Sequence, residues 1–214
     1  MSTQDFDAAC RRCERLTGFL DTVKRKHPAY HCAPVAPFGA RRARLLVVGL
    51  APGMHGANAS GRPFTGDYAG ILLYRCLHRH GFSNMAEVTG PDDGLILQDC
   101  RITNAVKCLP PENKPTGGEV ATCNAYLAAE LQALPPRALI LVLGGVAHKA
   151  TIRALGLRQA EYPFAHAAEY DLPDDRHLLA SYHCSRYNTQ TRRLTESMFD
   201  AVVQRARDYL DGQA

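Results

Sequence analysis

The chain lacks the features that would place it in a membrane or outside the cell. Its longest apolar runs, Leu45–Ala51 and Ala138–Ala147, are too short to cross a bilayer, so we expect no membrane contact. The N-terminal residues are acidic and polar, without the apolar segment of an export signal. We therefore expect a reducing compartment, the bacterial cytosol near the nucleoid. Repeats and linkers are also missing, which favours one domain over residues 1–214.

A strong excess of one charge is missing too. The 214 residues include 25 Lys and Arg against 21 Asp and Glu, a formal net charge of +4. Hydrophobic residues at 46% and charged residues at 21% exclude disordered, collagen-like and coiled-coil chains. The charge is uneven, because nine basic and four acidic residues lie in residues 1–50. Arginine supplies 20 of the 25 basic residues, which reflects either phosphate binding or a GC-rich genome.

Apolar runs alternate with helical patterns along the chain. The runs predict buried parallel strands at 45–50, 101–106, 138–143 and 177–182. Helical spacing predicts helices at 7–24, 68–80, 116–134, 146–155 and 194–210. Thr116 and Glu119 form a capping-box signature at the start of the third of these helices. The alternation predicts a three-layer α/β/α sandwich on a mostly parallel four-stranded sheet, with a ligand site at the carboxyl ends of the strands.

Cysteine, in contrast, is abundant, with eight residues. A reducing compartment disfavours disulfides, so the thiols divide into buried core residues and metal ligands. Cys10 and Cys13 form a C-x-x-C pair on the predicted first helix, where one turn presents both sulfurs to one ion or cluster. With Cys108 and Cys123 after the second strand, four thiolates suit a [4Fe–4S] cluster or zinc. Four unrelated buried thiols are the alternative interpretation.

A Gly-rich segment follows the first predicted strand and extends to Asp67. Its backbone N–H groups can approach an anion or an oxygen-rich ring, although the glycine spacing matches neither a Walker loop nor a dinucleotide-binding fingerprint. Within it, Phe64 either packs the loop or stacks on a flat ligand. Asp67 is either a functional carboxylate or the N-cap of the helix that begins at Tyr68.

A polar, Arg-rich loop follows the last predicted strand. His183 stands at the strand end, where a histidine is either catalytic or structural. The residues after it supply phosphate donors and, in Tyr187, an aromatic side chain suited to act as a wedge in DNA.

Taken together, and in their order along the chain, these motifs resemble those of uracil-DNA glycosylases of the iron–sulfur type. The resemblance is strongest to the fifth family, the UDGb enzymes. The resemblance covers nearly the whole chain. It rests on Cys10-x-x-Cys13, Leu45–Gly53, His55–Asn58, Gly61–Asp67, Thr103–Cys108, Asn113–Thr116, Cys123 and Tyr182–Thr189. The related fourth family has an acidic residue in the motif that ends at Gly53, and this chain has none there.

The resemblance implies a DNA repair glycosylase that flips uracil out of DNA and hydrolyses its N-glycosidic bond, leaving an abasic site. It implies a monomer acting on uracil-containing duplex and single-stranded DNA, with hypoxanthine and other deaminated bases as further candidate substrates. It also implies that four residues hold a structural [4Fe–4S] cluster: Cys10, Cys13, Cys108 and Cys123.

Site roles follow from this reaction. The expected catalytic residues are His183, Asn104 and Asp67, of which Asn104 matches the O4 and N3–H edge of uracil and His183 donates to O2. The expected substrate-binding residues are Ala51, Pro52, Gly53, His55, Asn58, Phe64, Asn104 and His183. The expected DNA-binding residues are Arg62, Ser185, Arg186, Tyr187, Asn188 and Arg192.

Two positions depart from the family pattern. Ala51 stands where other glycosylase families place an Asp or Asn for the water, so Asp67, His55 or Asn58 replaces that group, or the water is only positioned. Cys184 replaces the Pro of the family's His-Pro-Ser sequence, which removes a backbone restraint after the histidine. A non-catalytic binder of damaged DNA is the alternative function, and a redox or zinc protein is a third.

Overall fold

The computed structural model describes residues 5–212. The predicted domain, 1–214, includes residues 1–4 and 213–214, which lie outside the described residues. The described part of the chain forms a six-stranded sheet with the order β1-β3-β2-β4-β6-β5. Its strands are β1 (Phe38–Gly39), β2 (Leu45–Gly49), β3 (Cys100–Asn104), β4 (Leu139–Leu143), β5 (Glu169–Asp171) and β6 (His177–Ser181).

Helices flank this sheet on both faces. They are α1 (Glu14–Lys26), α2 (Ala57–Ser60), α3 (Tyr68–Arg79), α4 (Gly117–Gln132), α5 (Gly145–Ala154), α6 (Arg186–Gln190) and α7 (Glu196–Asp211). No helix of residues 5–212 combines the length and the apolar character that crossing a membrane requires.

The central strands are buried on both faces because their side chains alternate between two apolar cores. Leu45 and Val47 point into a core shared with α3 and α7. Leu46 and Val48 point into a second core, shared with α4 and α5. A parallel strand covered by helices on both sides therefore reads as an unbroken apolar run, which is why these strands were predictable.

The sheet has two more strands than the four predicted. The four predicted strands are all present and pair in parallel with one another. The additional strands, β1 and β5, are only two and three residues long and pair antiparallel at the two edges. Their partly exposed residues produce no continuous apolar run, so the predicted number of four is corrected to six.

The first helix begins at Glu14 and not at residue 7. Cys13 is its N-cap residue, and Cys10 lies in the irregular segment before it, so the C-x-x-C pair does not share a helical turn as predicted. The predicted capping box is confirmed at α4, where Thr116 accepts from the Glu119 N–H and the Glu119 side chain accepts from the Thr116 N–H.

Candidate active site

A cavity of about 400 Å³ opens at the carboxyl ends of the parallel strands. This is the edge at which the sequence predicts a site, and a volume of this order is typical of small-molecule pockets. The residues that line the cavity are Leu50, Ala51, Gly53, Ala57, Phe64, Asp67, Tyr68, Ala69, Asn104, Asn113, His183, Ser185 and Arg186.

Asn104 places a side-chain amide in this cavity from the end of β3. It lies opposite Gly49 in the parallel register and is only 4% exposed. A Cβ atom on Gly49 would lie 2.5 Å from Asn104 Oδ1 and 2.7 Å from Phe64 Cζ. The absence of a side chain at Gly49 therefore lets the amide and the aromatic ring approach each other across the cavity.

Phe64 and His183 supply two nearly parallel rings. Their centroids are 5.9 Å apart and their planes differ by 24°. Phe64 is buried and has a left-handed backbone with φ of 54°, a conformation that costs energy outside glycine and recurs at functional sites. Burial lowers the pKa of His183 to about 4, so its imidazole is neutral at physiological pH. A neutral imidazole carries one donor and one acceptor nitrogen.

Asp67 is the N-cap residue of α3 and also lines the cavity. Oδ1 caps α3 by accepting from the Gly70 N–H at 2.9 Å. Oδ2 lies toward the Gly-rich loop, where it would be 3.5 Å from a Cβ atom on Gly53 and 2.6 Å from one on Gly56. Burial raises the pKa of Asp67, and hydrogen bonds from the Gly70 and Ala69 N–H groups oppose that shift. The same carboxylate can therefore fix the helix and face the cavity.

Three predicted substrate-binding residues do not line the cavity. His55 is exposed, and its Nδ1 lies 2.9 Å from the Tyr30 hydroxyl. Asn58 is fully buried and donates weakly to the Met54 carbonyl at 3.5 Å. Pro52 is also buried. Position within the Gly-rich segment therefore did not predict which of its residues line the cavity.

Arg62 is a structural residue instead of the predicted DNA contact. Its guanidinium is 6% exposed and pairs with Asp93, with an Nη2–Oδ2 distance of 2.8 Å. It also donates to the Pro91 carbonyl and to Thr65. This pairing holds the pKa of Asp93 well below its usual range. No donor of Arg62 is left to face a phosphate, because the side chain lies between the Gly-rich loop and residues 90–93.

The loop after β6 divides into positioning and exposed residues. Ser185 caps α6, and Asn188 Nδ2 donates to the His183 carbonyl at 2.8 Å. Arg186 and Arg192 are exposed, and the Arg186 guanidinium lies 5.1 Å from the centre of the Tyr68 ring. Tyr187 is 71% exposed, as expected for a residue that reaches outward from the rim of the pocket.

Sequence reasoning missed several lining residues. Ala57, Tyr68 and Asn113 reach the cavity from α2, from the start of α3 and from the turn at Pro111–Asn113. Tyr68 directly follows Asp67, the N-cap of α3. Its position beside a predicted site residue could have indicated that it lines the cavity. Asn113 has a φ of 57°, a conformation that asparagine adopts more readily than most residues, and the motif Asn113–Thr116 was the signal available for it.

The four predicted cysteine ligands line one common cavity beside α1 and α4. The Lys107 backbone N–H donates to Cys123 Sγ at 3.3 Å. Burial and the neighbouring Cys123, Cys10 and Cys13 raise the pKa of the Cys108 thiol to about 12. The thiols of Cys10, Cys13 and Cys123 are therefore near enough to that of Cys108 to influence its ionisation.

The donor set fits a metal centre of the all-thiolate type. Four thiols in one cavity, with a backbone N–H directed at one sulfur, match the ligand chemistry of iron–sulfur clusters and of structural zinc. Within residues 5–212, no three His, Cys, Asp or Glu side chains converge closely enough for a single ion.

Comparison with known proteins identifies the family of the chain. The model of the uracil DNA glycosylase superfamily matches residues 36–207. A type-5 uracil-DNA glycosylase of Thermus thermophilus is 46% identical over 204 residues, 93% of each chain. The chain belongs to the uracil-DNA glycosylase superfamily and to its type-5 family. This confirms the family resemblance that the motifs indicated.

Further relatives of this glycosylase chain agree. Type-5 uracil-DNA glycosylases of Pyrobaculum aerophilum and Mycobacterium tuberculosis are 41% and 39% identical, over 92% and 94% of this chain and 87% and 78% of theirs. The crystal structure of wild-type SMUG2 of Pedobacter heparinus superposes with a TM-score of 0.50 at 12% identity, covering 100% of this chain and 92% of that one. At that identity the superposition shows the fold alone.

Proposed function

We propose that this protein is a monofunctional glycosylase that excises uracil from DNA by hydrolysis and leaves an abasic site. The observation that carries the proposal is the convergence of Asn104, Phe64 and His183 on one cavity at the carboxyl edge of the sheet. An amide, a stacking ring and a neutral imidazole are the groups that binding and expelling a flat pyrimidine requires.

Base recognition is assigned to Asn104. The edge of uracil presents an acceptor at O4 beside a donor at N3–H, and one side-chain amide offers the complementary pair. Cytosine presents the opposite pattern and would leave buried polar groups unpaired, at about 1–3 kcal/mol for each group. Phe64 supports the choice by offering a face on which the flipped base stacks.

Departure of uracil is assigned to His183. Bond cleavage leaves negative charge on the base, largely on O2, and a neutral imidazole can donate a hydrogen bond to that oxygen. The low pKa of His183 favours this neutral donor over an imidazolium. Backbone N–H groups of the turn at 51–53 lie beside the same cavity and can stabilise the same charge.

Orientation of the attacking water is assigned to Asp67, because the side chain of Ala51 offers no polar group. Oδ2 faces the Gly-rich loop while Oδ1 stays bound to the helix, so orienting a water does not require the cap to open. A carboxylate in the cavity also stabilises the positive charge that develops on the sugar.

The four cysteines at 10, 13, 108 and 123 would hold a [4Fe–4S] cluster with a structural role. Hydrolysis moves no electrons, and the cysteine cavity is separate from the cavity that contains His183. The cluster would tie the segment that leads into α1 to the loop after β3 and to α4, because these three parts of the chain supply the cysteines. Broad visible absorption of protein purified without air supports iron, whereas colourless, zinc-loaded protein contradicts it.

The proposal is tested with a uracil-containing duplex that is incubated with the protein and then treated with alkali, which breaks strands at abasic sites. Wild-type protein should give breaks at uracil, and His183→Ala should reduce the rate about 10²–10³-fold. His55→Ala is the matched control, since His55 lies outside the cavity, and its rate should be unchanged. Binding without breaks would instead support a non-catalytic binder of damaged DNA.

Tyr187 is proposed to fill the space that the flipped base leaves in the duplex. Its 71% exposure at the rim of the pocket supports insertion between bases. Tyr187→Ala should therefore slow excision from duplex DNA, roughly tenfold or more for the loss of one stacking contact. Excision from single-stranded DNA should be unaffected, and an equal loss on both substrates would contradict the wedge.

A further inference from the structure

The backbone on both sides of His183 is held by hydrogen bonds from backbone and side-chain groups. The Ser181 carbonyl accepts from the Gly144 N–H at 2.8 Å, and Ser181 Oγ donates to the Tyr182 carbonyl at 2.9 Å. Asn188 Nδ2 donates to the His183 carbonyl at 2.8 Å. The Tyr182 N–H donates to Nδ1 of His166 at 3.3 Å, and Ser181 Oγ lies 3.4 Å from the same nitrogen.

His166 reaches this peptide from a short segment that runs beside β6. Ala167 N–H donates to the Ala180 carbonyl at 2.8 Å, and Ala180 N–H donates to the Ala168 carbonyl at 2.9 Å. These bonds fix the backbone next to His166. Its ring stacks on the Tyr182 ring with centroids 5.1 Å apart and planes at 22°. His166 therefore contacts both the backbone and the side chain of the residue before His183.

The hydrogen bond from the Tyr182 N–H indicates the tautomer of neutral His166. Nδ1 accepts from a backbone N–H, so the proton of the neutral ring is on Nε2. Burial lowers the pKa of His166, which keeps the ring neutral at physiological pH. The titratable or charged groups that its contacts bring close are Tyr182 and Arg193, whose guanidinium lies 4.6 Å from the centre of the Tyr182 ring.

We propose that His166 is a positioning residue for excision, which holds His183 through the Tyr182 peptide. The inference rests on the proposed function. Cys184, which stands where the family pattern has proline, is completely buried. A proline would restrict φ after the histidine, whereas here the restraint comes from the residue before it, through the contact with His166.

Two substitutions distinguish the role of His166 as a hydrogen-bond acceptor from its role as a stacking ring. In His166→Asn, Oδ1 can occupy the position of Nδ1 and accept from Tyr182, but the stacking ring is lost. In His166→Phe, a stacking ring remains and the acceptor is lost. We expect kcat for uracil excision to fall about 10–100-fold in His166→Phe, with KM changed little, because misplacing a catalytic group by about 1 Å can reduce the rate by up to about 100-fold. His166→Asn should retain most of the wild-type kcat.

Backbone exchange in DNA-free protein gives a readout that does not depend on excision. The Tyr182 amide should exchange with solvent faster in His166→Phe than in wild type or His166→Asn. If wild type excises no uracil, the proposed function fails, while the exchange result still tests the contact. A wild-type kcat in His166→Phe, or a loss in His166→Asn as large as in His166→Phe, would overturn the role of the acceptor. Unchanged Tyr182 exchange in His166→Phe would overturn the contact itself.

Discussion

At the scale of single residues, the neutral state of His183 links the pocket to stability. Burial lowers its pKa from the ordinary 6.5 to about 4, so the folded state resists a proton that the unfolded state accepts. The unfolded chain thus binds more protons between these two pH values. The free energy of unfolding should therefore decrease as the pH falls from about 6.5 to about 4, by roughly 1–3 kcal/mol from this group.

Denaturant unfolding of wild type and His183→Gln at several pH values measures this contribution. Gln cannot take up a proton, so the variant should lose less stability than wild type in the same pH range. His148 and His166 also have pKa values lowered by burial, but both are present in the two proteins and cancel in the comparison. Parallel curves for wild type and variant would mean that His183 titrates normally.

The sequence predicted pocket residues more reliably at the ends of strands than within the Gly-rich loop. Asn104 and His183 end parallel strands, and the geometry of such sheets brings strand ends together, so their common location was predictable. Arg62 and Asn58 belong to a Gly-rich loop of no regular period. Their burial depends on contacts with distant segments, such as Asp93 for Arg62, which no local pattern encodes.

At the scale of secondary-structure elements, apolar continuity predicted β2, β3, β4 and β6, and capping signatures predicted the starts of α3 and α4. The edge strand β5 was not predictable, because its three residues are only partly buried and gain their conformation by pairing with β6. The predicted start of α1 was too early in the chain. The apolar spacing extends back to Phe6, whereas the backbone before Cys13 is not helical.

Close contact between β2 and β3 gives a prediction at the same scale. Gly49→Ala places a methyl group 2.5 Å from Asn104 Oδ1 and 2.7 Å from Phe64 Cζ, so both side chains must shift. We expect stability to fall by about 1–3 kcal/mol and excision of uracil to weaken with it. Thermal unfolding and the alkali assay measure the two effects.

The control is a second glycine in regular structure. Gly18 lies within α1, and a Cβ atom there would meet no heavy atom within 4 Å. Gly18→Ala should stabilise the protein by about 0.5–1 kcal/mol, because alanine favours a helix, and should leave excision unchanged. A Gly49→Ala protein as active as Gly18→Ala would show that the pocket tolerates displacement of Asn104.

At the scale of the whole molecule, a net charge of +4 is small for a protein that binds DNA. The structure sorts the arginines into two groups that the sequence does not distinguish. One group is paired and partly or fully buried, as Arg62 is with Asp93. The other group is exposed in the segment after β6 and includes Arg186, which lines the pocket, with Arg192 and Arg193. Binding would therefore depend on a few local charges around a pocket suited to an uncharged base.

A matched pair of arginine substitutions tests this division. Phosphate contacts release counterions, so Arg192→Gln should lower the slope of log affinity against log salt by about 1, with stability unchanged. Arg62→Gln should leave the slope unchanged but cost about 3–5 kcal/mol of stability, because Asp93 would remain buried without its partner. Binding titrations at several salt concentrations and thermal unfolding measure both. If Arg62→Gln lowered the slope as much as Arg192→Gln while remaining as stable as wild type, Arg62 would have to turn outward to the DNA, and its assignment as a structural residue would be wrong.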